Sequence, residues 1–99
     1  MRTPIHPGEI LADELEARGL SANKIALALN IPPNRITAIL RKQRGITADT
    51  ALRLHRFFGI SAEFWMNLQE QYELDLAKKQ LSKEIDTLPT CDEFLAACA

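Results

Sequence analysis

The 99-residue chain is 46% hydrophobic and 25% charged, which fits one globular domain and leaves little room for a second. No window reaches the roughly 20 apolar residues of a membrane span, and the first residues lack a secretory signal pattern, so we expect a cytoplasmic protein. Cys91 and Cys98 both lie near the end of the chain, cannot cross-link a core and lack the spacing of a zinc hook, so we expect neither a metal nor a cofactor.

The net charge of −1 does not by itself suggest a nucleic-acid partner, but the charge is unevenly distributed. Residues 1–17 carry −3, residues 18–56 carry +7 and residues 57–99 carry −5. A basic middle segment between acidic ends produces one positive face, as a phosphate-binding surface requires. The alternative is that solvated basic side chains cluster there by chance.

No segment shows the period-two alternation of a strand, so helices are expected throughout. Pro7 and Glu9 suit a first turn and Gly19 suits a left-handed stop, which predicts a helix over residues 7–18. Ser21 is the expected N-cap of a second helix, and Asn30 is its expected stop.

The third helix opens at Pro32-Pro33, because proline is tolerated in a first turn, and is expected to end near Lys42. Thr47 should cap a fourth helix that ends before Gly59. The apolar residues expected to face the core in the first four helices recur at helical spacing: Ile10, Leu11, Leu15, Ile25, Ala26, Leu29, Ile36, Ile39, Leu40, Ala51, Leu54 and Phe58.

The fifth helix should begin at Ser61 and run well past Lys79, since no glycine or proline occurs before Pro89. Its expected core stripe comprises Phe64, Trp65, Leu68, Tyr72 and Leu76. Thr90 to Glu93 form a capping-box pattern, which predicts a short last helix with an apolar face. That tail could contact a partner or fold back on its own domain.

The segment 21–44 has the pattern of a helix-turn-helix. Two short helices flank a tight turn at residues 29–31, and the small Ala26 allows them to approach closely. Ile31 and Ile36 would fill the angle between them. We therefore predict a DNA-binding unit whose second helix enters the major groove.

The outward face of that second helix follows from about 100° per residue, with Ile36 and Ile39 inward. Side chains on this face can pair with adenine or guanine edges or rest on thymine methyl groups, and the expected base contacts are Asn34, Thr37, Ala38 and Arg41. The expected contacts to the DNA backbone are Ser21, Asn23, Lys24, Arg35, Lys42, Gln43 and Arg44. An ordinary solvated helix face is the alternative for each residue taken singly.

A longer set of motifs covers residues 4–79: His6-Pro7-Gly8-Glu9-Ile10-Leu11, Ala26-x-x-Leu29-x-Ile31, Asn34-Arg35-Ile36-x-x-Ile39-Leu40, and Phe64-Trp65-Met66-Asn67-Leu68-Gln69 before Tyr72-Glu73-Leu74. This set resembles the HigA-type (VapI-like) antitoxins of the Xre/phage-repressor helix-turn-helix superfamily. Proline stands at position 33, where superfamily members usually carry a polar residue, so base reading shifts toward Asn34, Thr37, Ala38 and Arg41.

The resemblance implies an all-α, five-helix lambda-repressor-like domain over residues 1–79. Residues 80–99 would form a helical tail that is a candidate dimer or partner contact. It also implies a type II antitoxin that represses its own operon and neutralises a toxin, usually a small RelE-like enzyme. We expect a homodimer on a palindromic operator with half-sites roughly 34 Å apart, because one recognition helix covers few base pairs. The acidic segment 57–99 would suit a basic toxin.

Three alternatives differ in class. An enzyme is not expected, because His6 and His55 lie far apart and no Gly-rich phosphate loop or nucleophile elbow is present. A pure interaction protein would use the acidic ends without reading DNA. A stand-alone repressor would lack a toxin, and the neighbouring reading frame discriminates it from an antitoxin.

Overall fold

The computed structural model describes residues 3–98. Within that range the chain forms only helices: α1 (Pro7–Arg18), α2 (Ala22–Leu29), α3 (Pro33–Leu40), α4 (Ala48–Phe58), α5 (Ala62–Asp86) and α6 (Cys91–Cys98). Helices α1 to α5 surround a common core, and α6 follows as an extension. The all-α prediction, with five helices and a C-terminal helical extension, is confirmed.

The helix boundaries follow from local capping. The hydroxyls of Ser21, Thr47 and Ser61 each accept a hydrogen bond from the amide three residues on, at 3.1, 3.4 and 3.1 Å. Each bond satisfies an amide that the first helical turn would otherwise leave unpaired. Three helices end at the left-handed residues the sequence indicated, which are Gly19, Asn30 and Gly59, with φ values of 64°, 57° and 78°.

The end of α3 differs from the prediction. The helix stops at Leu40 rather than near Lys42, because Lys42 adopts a left-handed φ of 62°. The Lys42 amide donates to the Ile39 carbonyl at 3.0 Å, and the Gln43 amide donates to the Ala38 carbonyl at 2.9 Å. This bond pair is a Schellman motif, which usually carries glycine or asparagine at the left-handed position. A lysine there leaves no stop signal in the sequence.

The core is built around Trp65, whose side chain is fully buried. Phe64 is 41% exposed, so its predicted place in the core is wrong. Adjacent helical residues point about 100° apart, and directing Trp65 inward turns Phe64 to the edge, where its ring meets the indole edge-on at 5.7 Å. The buried apolar residues are Leu11, Leu15, Ile25, Ala26, Leu29, Ile31, Ile36, Ile39, Ile46, Ala51, Leu54, Ala62 and Trp65.

The N-terminus of α1 is held by a reciprocal cap. Nδ1 of His6 accepts from the Gly8 amide, and a carboxylate oxygen of Glu9 accepts from the His6 amide, both at 2.9 Å. The sequence marked this helix start through Pro7 and Glu9 but did not assign His6 to the cap. His6 is buried, and its ring meets Tyr72 of α5 edge-on at 4.8 Å.

The cap predicts a pH-dependent stability. Burial, and then the Lys42 ammonium, lower the pKa of His6 below its ordinary value of 6.5. The unfolded chain therefore takes up this proton at a higher pH than the folded chain. We expect the free energy of unfolding to lose this contribution as pH falls below 6.5, and to retain it fully above.

His6→Asn keeps a capping acceptor and removes the titration. Urea unfolding between pH 7.5 and about 5 should give a flatter pH profile for the variant than for the wild type. Equal slopes for the two proteins would show that another group produces the pH dependence.

Helix α5 runs without a break through residue 79 to Asp86 and carries the chain away from the core. The predicted capping box is present, since Thr90 Oγ1 accepts from the Glu93 amide at 3.2 Å. Residues 83–98 are all exposed, and the protein measures 62 Å along its longest axis but only about 21 Å across. The tail therefore stands clear of its own domain. Among residues 3–98 no helix has the length and apolar character for a membrane crossing.

Candidate nucleic-acid interface

Helices α2 and α3 form the expected helix-turn-helix. Asn30 takes the left-handed conformation, and the Ile31 amide donates to the Ala26 carbonyl at 3.0 Å, which closes α2. Ala26 and Ile36 are fully buried at the crossing, and Ile31 is 8% exposed beside them. The roles predicted for these three residues in packing the two helices are confirmed.

The outward face of α3, together with the C-cap residue Arg41, carries the four residues expected to read bases. Asn34 and Arg41 are exposed, and neither side chain has a hydrogen-bond or ionic partner within residues 3–98. Thr37 and Ala38 are half-buried between them. The Thr37 hydroxyl donates to the Asn34 carbonyl at 3.2 Å, which occupies the hydroxyl and leaves the methyl group for contact. This face therefore combines two free polar side chains with two small apolar surfaces.

Most residues expected at the DNA backbone are also exposed. Lys24 near the start of α2 and Arg44 after α3 carry cationic groups that pair with nothing in the described range. Asn23 and Gln43 are exposed neighbours of these two cations. The Ser21 hydroxyl caps α2 and still has its own proton to donate. These groups lie at the two ends of the helix-turn-helix, where side chains can follow two stretches of the phosphate backbone.

The N-terminus of α3 has fewer amide donors than that of α2. Pro32 is its N-cap, makes no side-chain capping bond, and precedes Pro33 at the first helical position. Proline has no backbone N–H, so this turn loses an orphan donor without penalty. The two prolines thus fix the backbone at the start of α3. The N-terminus of α2 has more free amides and is therefore the better phosphate-binding end of the two helices.

Arg35 differs from the other residues expected at the DNA backbone, because it already has a partner. Its guanidinium donates to the Asp49 carboxylate at 2.9 Å, and Arg53 donates to the same oxygen at 2.8 Å. Arg53 also donates to the Leu29 carbonyl at 2.7 Å, so the network joins α3, α4 and the end of α2. The hydrogen bond from Arg53, together with Arg35, lowers the pKa of Asp49 below its ordinary value. Arg35 therefore helps to hold the recognition helix against α4.

Lys42 lies beside α1. Its ammonium is 3.7 Å from a carboxylate oxygen of Glu9, and both side chains remain about half exposed. An exposed pair of this kind contributes little to stability and leaves the ammonium available to a phosphate.

The loop after α3 is fixed by a side chain from α5. Oε1 of Gln69 accepts from the Ile46 amide at 2.7 Å, and Nε2 donates to Glu73 at 3.2 Å. A Cβ atom on Gly45 would lie 2.6 Å from the Gln69 side chain, so a larger residue there would push the end of that side chain aside. The Trp-Met-Asn-Leu-Gln motif supports the family resemblance, but nothing in the sequence links Gln69 to this loop.

Gln69→Ala is expected to lower the free energy of unfolding by about 1 kcal/mol, through the lost hydrogen bond to Ile46. It should also weaken binding to DNA of any sequence, because the loop carries Gln43 and Arg44. Thermal unfolding and titration with random duplex DNA measure the two effects. Asn67→Ala, on an exposed position of α5, is the matched control. Comparable losses in the two variants would contradict the role given to Gln69.

Residues 3–98 contain no group of three His, Cys, Asp or Glu residues that could hold a metal ion. Cys91 and Cys98 are free and exposed on α6, and His55 is exposed on α4.

Comparison with known proteins places this geometry in a family. Residues 11–65, more than half of the chain, match the helix-turn-helix family model. Virulence-associated protein I of Dichelobacter nodosus is 57% identical over 76 residues, which span 76% of this chain and 70% of the relative.

Two solved structures are similar over nearly their whole length. An addiction module antidote protein of the HigA family from Coxiella burnetii superposes with a TM-score of 0.85 and 56% identity, covering 91% of this chain and 98% of that one. Antitoxin HigA of Pseudomonas aeruginosa, solved with the higBA promoter, superposes with a TM-score of 0.85 and 46% identity. The match covers 90% of this chain and 98% of that one. The chain belongs to the helix-turn-helix family, in the group that contains the HigA antidote proteins.

Proposed function

We propose that this protein is the antitoxin of a type II toxin–antitoxin module, which binds operator DNA through α3, represses its own operon and neutralises a partner toxin. The observation that carries the proposal is the exposed face of α3, where Asn34 and Arg41 have no partner within the described residues. That face lies within the +7 segment 18–56. The similar HigA antitoxin of Pseudomonas aeruginosa was solved with promoter DNA.

The base contacts proposed for this protein are Asn34, Thr37, Ala38 and Arg41, with Ser21, Asn23, Lys24, Lys42, Gln43 and Arg44 on the DNA backbone. Arg35 orients α3 mainly through its ion pair with Asp49. Its guanidinium nitrogens that do not bind Asp49 can also contact a phosphate. Asn offers the bidentate geometry that adenine requires, and Arg the geometry that guanine requires.

A homodimer on a palindromic operator is part of the proposal. One recognition helix covers too few base pairs for useful specificity, and a two-fold dimer would place two such helices about 34 Å apart. Sedimentation with a palindromic duplex should show two protomers per duplex. A monomer bound at nanomolar affinity to a single half-site would contradict this part.

The proposed partner is a small basic toxin of RelE-like fold. Its support is the −5 charge of segment 57–99, which would attract a basic protein. Residues 57–76 carry −4 of that charge and residues 77–99 carry −1, so a basic partner would be attracted mainly to the first turns of α5.

Co-expression with the adjacent gene tests the proposal in one design. Expression of the adjacent reading frame by itself should arrest growth, and co-expression of both genes should restore it. The two proteins should also co-purify. Arg41→Ala should derepress a promoter reporter while still restoring growth, because α3 acts on DNA. A harmless adjacent frame with intact repression would favour a stand-alone repressor. Restored growth without any repression would favour a pure interaction protein.

A further inference from the structure

A groove of about 570 Å³ lies between α2 and α4, on the body of the protein. Much of its lining is apolar, and Leu52 and Phe57 of α4 are 62% and 40% exposed there. Asp49, Arg53 and Arg56 lie along the same groove. Arg53 is already bound to Asp49, whereas Arg56 has no partner among residues 3–98. The groove therefore presents apolar surface beside an unpaired cation.

Helix α6 has the complementary character. Phe94 and Leu95 are 57% and 59% exposed, and they follow Asp92 and Glu93 in the first turn. The helix carries no basic residue. An acidic turn followed by two large apolar side chains fits an apolar groove with an arginine at its edge. A basic partner would meet repulsion from Arg56 in the same place.

The α6 helix cannot reach the groove of its own chain. Helix α5 is 25 residues long and spans about 37 Å. Residues 87–90 can extend over roughly 14 Å, and the eight residues of α6 add about 12 Å. Leu52 of the groove also lies beside Ala62 and Met66 in the first turns of α5, which places the groove near the start of that helix. The linker and α6 together are shorter than the length of α5, so an α6 that fills the groove comes from another molecule.

The distal part of α5 also lacks cover. Leu81, Ile85 and Leu88 recur at spacings of four and three residues and are 40%, 56% and 62% exposed. Two chains that each extend this arm toward the other would lay these residues against each other in antiparallel order. Exchange of arms would thus bury two apolar surfaces that are otherwise left in water.

We propose that α6 of a second copy occupies the α2–α4 groove, with its acidic turn at Arg56 and with Phe94 and Leu95 on Leu52 and Phe57. The exchange is reciprocal, so both copies use the same surfaces, as a two-fold dimer requires. This inference rests on the homodimer proposed above and specifies the surface that forms it.

Charge reversal on the two sides tests the contact in the full-length protein without DNA. Arg56→Glu alone, and Asp92→Lys with Glu93→Lys, should each raise the dimer dissociation constant at least about tenfold in sedimentation equilibrium. Glu16→Lys, an exposed reversal on α1, should leave that constant unchanged. These positions lie outside the core, so each variant should keep the helical circular-dichroism spectrum of the wild type, while loss of the dimer lowers the apparent thermal stability.

Mixing the two defective proteins makes the test specific for exchange. In a heterodimer of Arg56→Glu with the Asp92→Lys, Glu93→Lys protein, each tail meets a groove of opposite charge. The mixture should therefore dimerise about as tightly as the wild type, which docking within one chain would not produce.

Two results would overturn the inference. One is a mixture that dimerises no more tightly than its separate components. The other is a Phe94→Asp protein that self-associates like the wild type. If that protein also fails to co-purify with the adjacent gene product, the tail is assigned to that partner. Binding to a single operator half-site needs no dimer. If a monomeric variant still binds a half-site, DNA binding is intact and only the dimer contact has failed.

Discussion

Trp65→Ala is expected to lower the free energy of unfolding by about 3–5 kcal/mol, the cost of removing a large buried aromatic side chain. The indole is 0% exposed and packs against Phe58 and Phe64, with ring centroids 6.4 and 5.7 Å away. Its Nε1–H finds no acceptor within the described residues, so the indole contributes by packing alone. A domain this small has little stability to spare.

Phe64→Ala is the matched control, because it removes a neighbouring aromatic ring that is 41% exposed. In urea unfolding, Phe64→Ala should lower the free energy of unfolding by about 1 kcal/mol, well below the effect of Trp65→Ala. Operator affinity, measured per folded molecule at low temperature, should be unchanged in both variants. A Trp65→Ala protein as stable as Phe64→Ala would contradict the central place of Trp65 in the core.

Gly8→Ala is expected to disturb both stability and DNA binding. A Cβ atom on Gly8 would lie 2.1 Å from the Ile39 carbonyl oxygen, and backbone atoms cannot yield as a flexible side chain does. We expect a loss of about 1–3 kcal/mol in the free energy of unfolding. Since Ile39 belongs to α3, relief of the clash should displace the recognition helix and weaken operator binding as well.

Gly19→Ala separates the clash from a general effect of replacing glycine. A Cβ atom there meets nothing within 4 Å, but the φ of 64° makes the substitution strained. It should cost about 1 kcal/mol of stability and leave operator affinity intact. Equal operator affinity of the Gly8→Ala and Gly19→Ala proteins would show that the contact between α1 and α3 does not position the recognition helix α3.

The sequence was sufficient where structure is set by neighbours along the chain. Ser21, Thr47 and Ser61 cap their helices through bonds only three residues long, and helical spacing correctly placed Ile36 and Ile39 inward. The same spacing put Asn34 and Arg41 on the exposed face. Their contacts with DNA stay predictions.

The sequence was insufficient where distant parts of the chain meet. Arg35 appeared to be a free cation, and only the packing of α3 on α4 brings it to Asp49, 14 residues on. Gln69 reaches Ile46 across 23 residues. The early end of α3 depends on a lysine in a conformation that lysine rarely adopts, so no local pattern could reveal it.

The central claim is that the exposed face of α3 reads DNA sequence while flanking cations bind the backbone. The most direct test compares wild type, Asn34→Ala, Arg41→Ala and Lys42→Ala on the operator upstream of the gene and on a scrambled duplex, over a range of salt. Asn34→Ala and Arg41→Ala should each cost about 1–3 kcal/mol on the operator alone. Lys42→Ala should weaken both duplexes alike and reduce the salt dependence. Identical behaviour of Asn34→Ala and Lys42→Ala on the two duplexes would contradict the account.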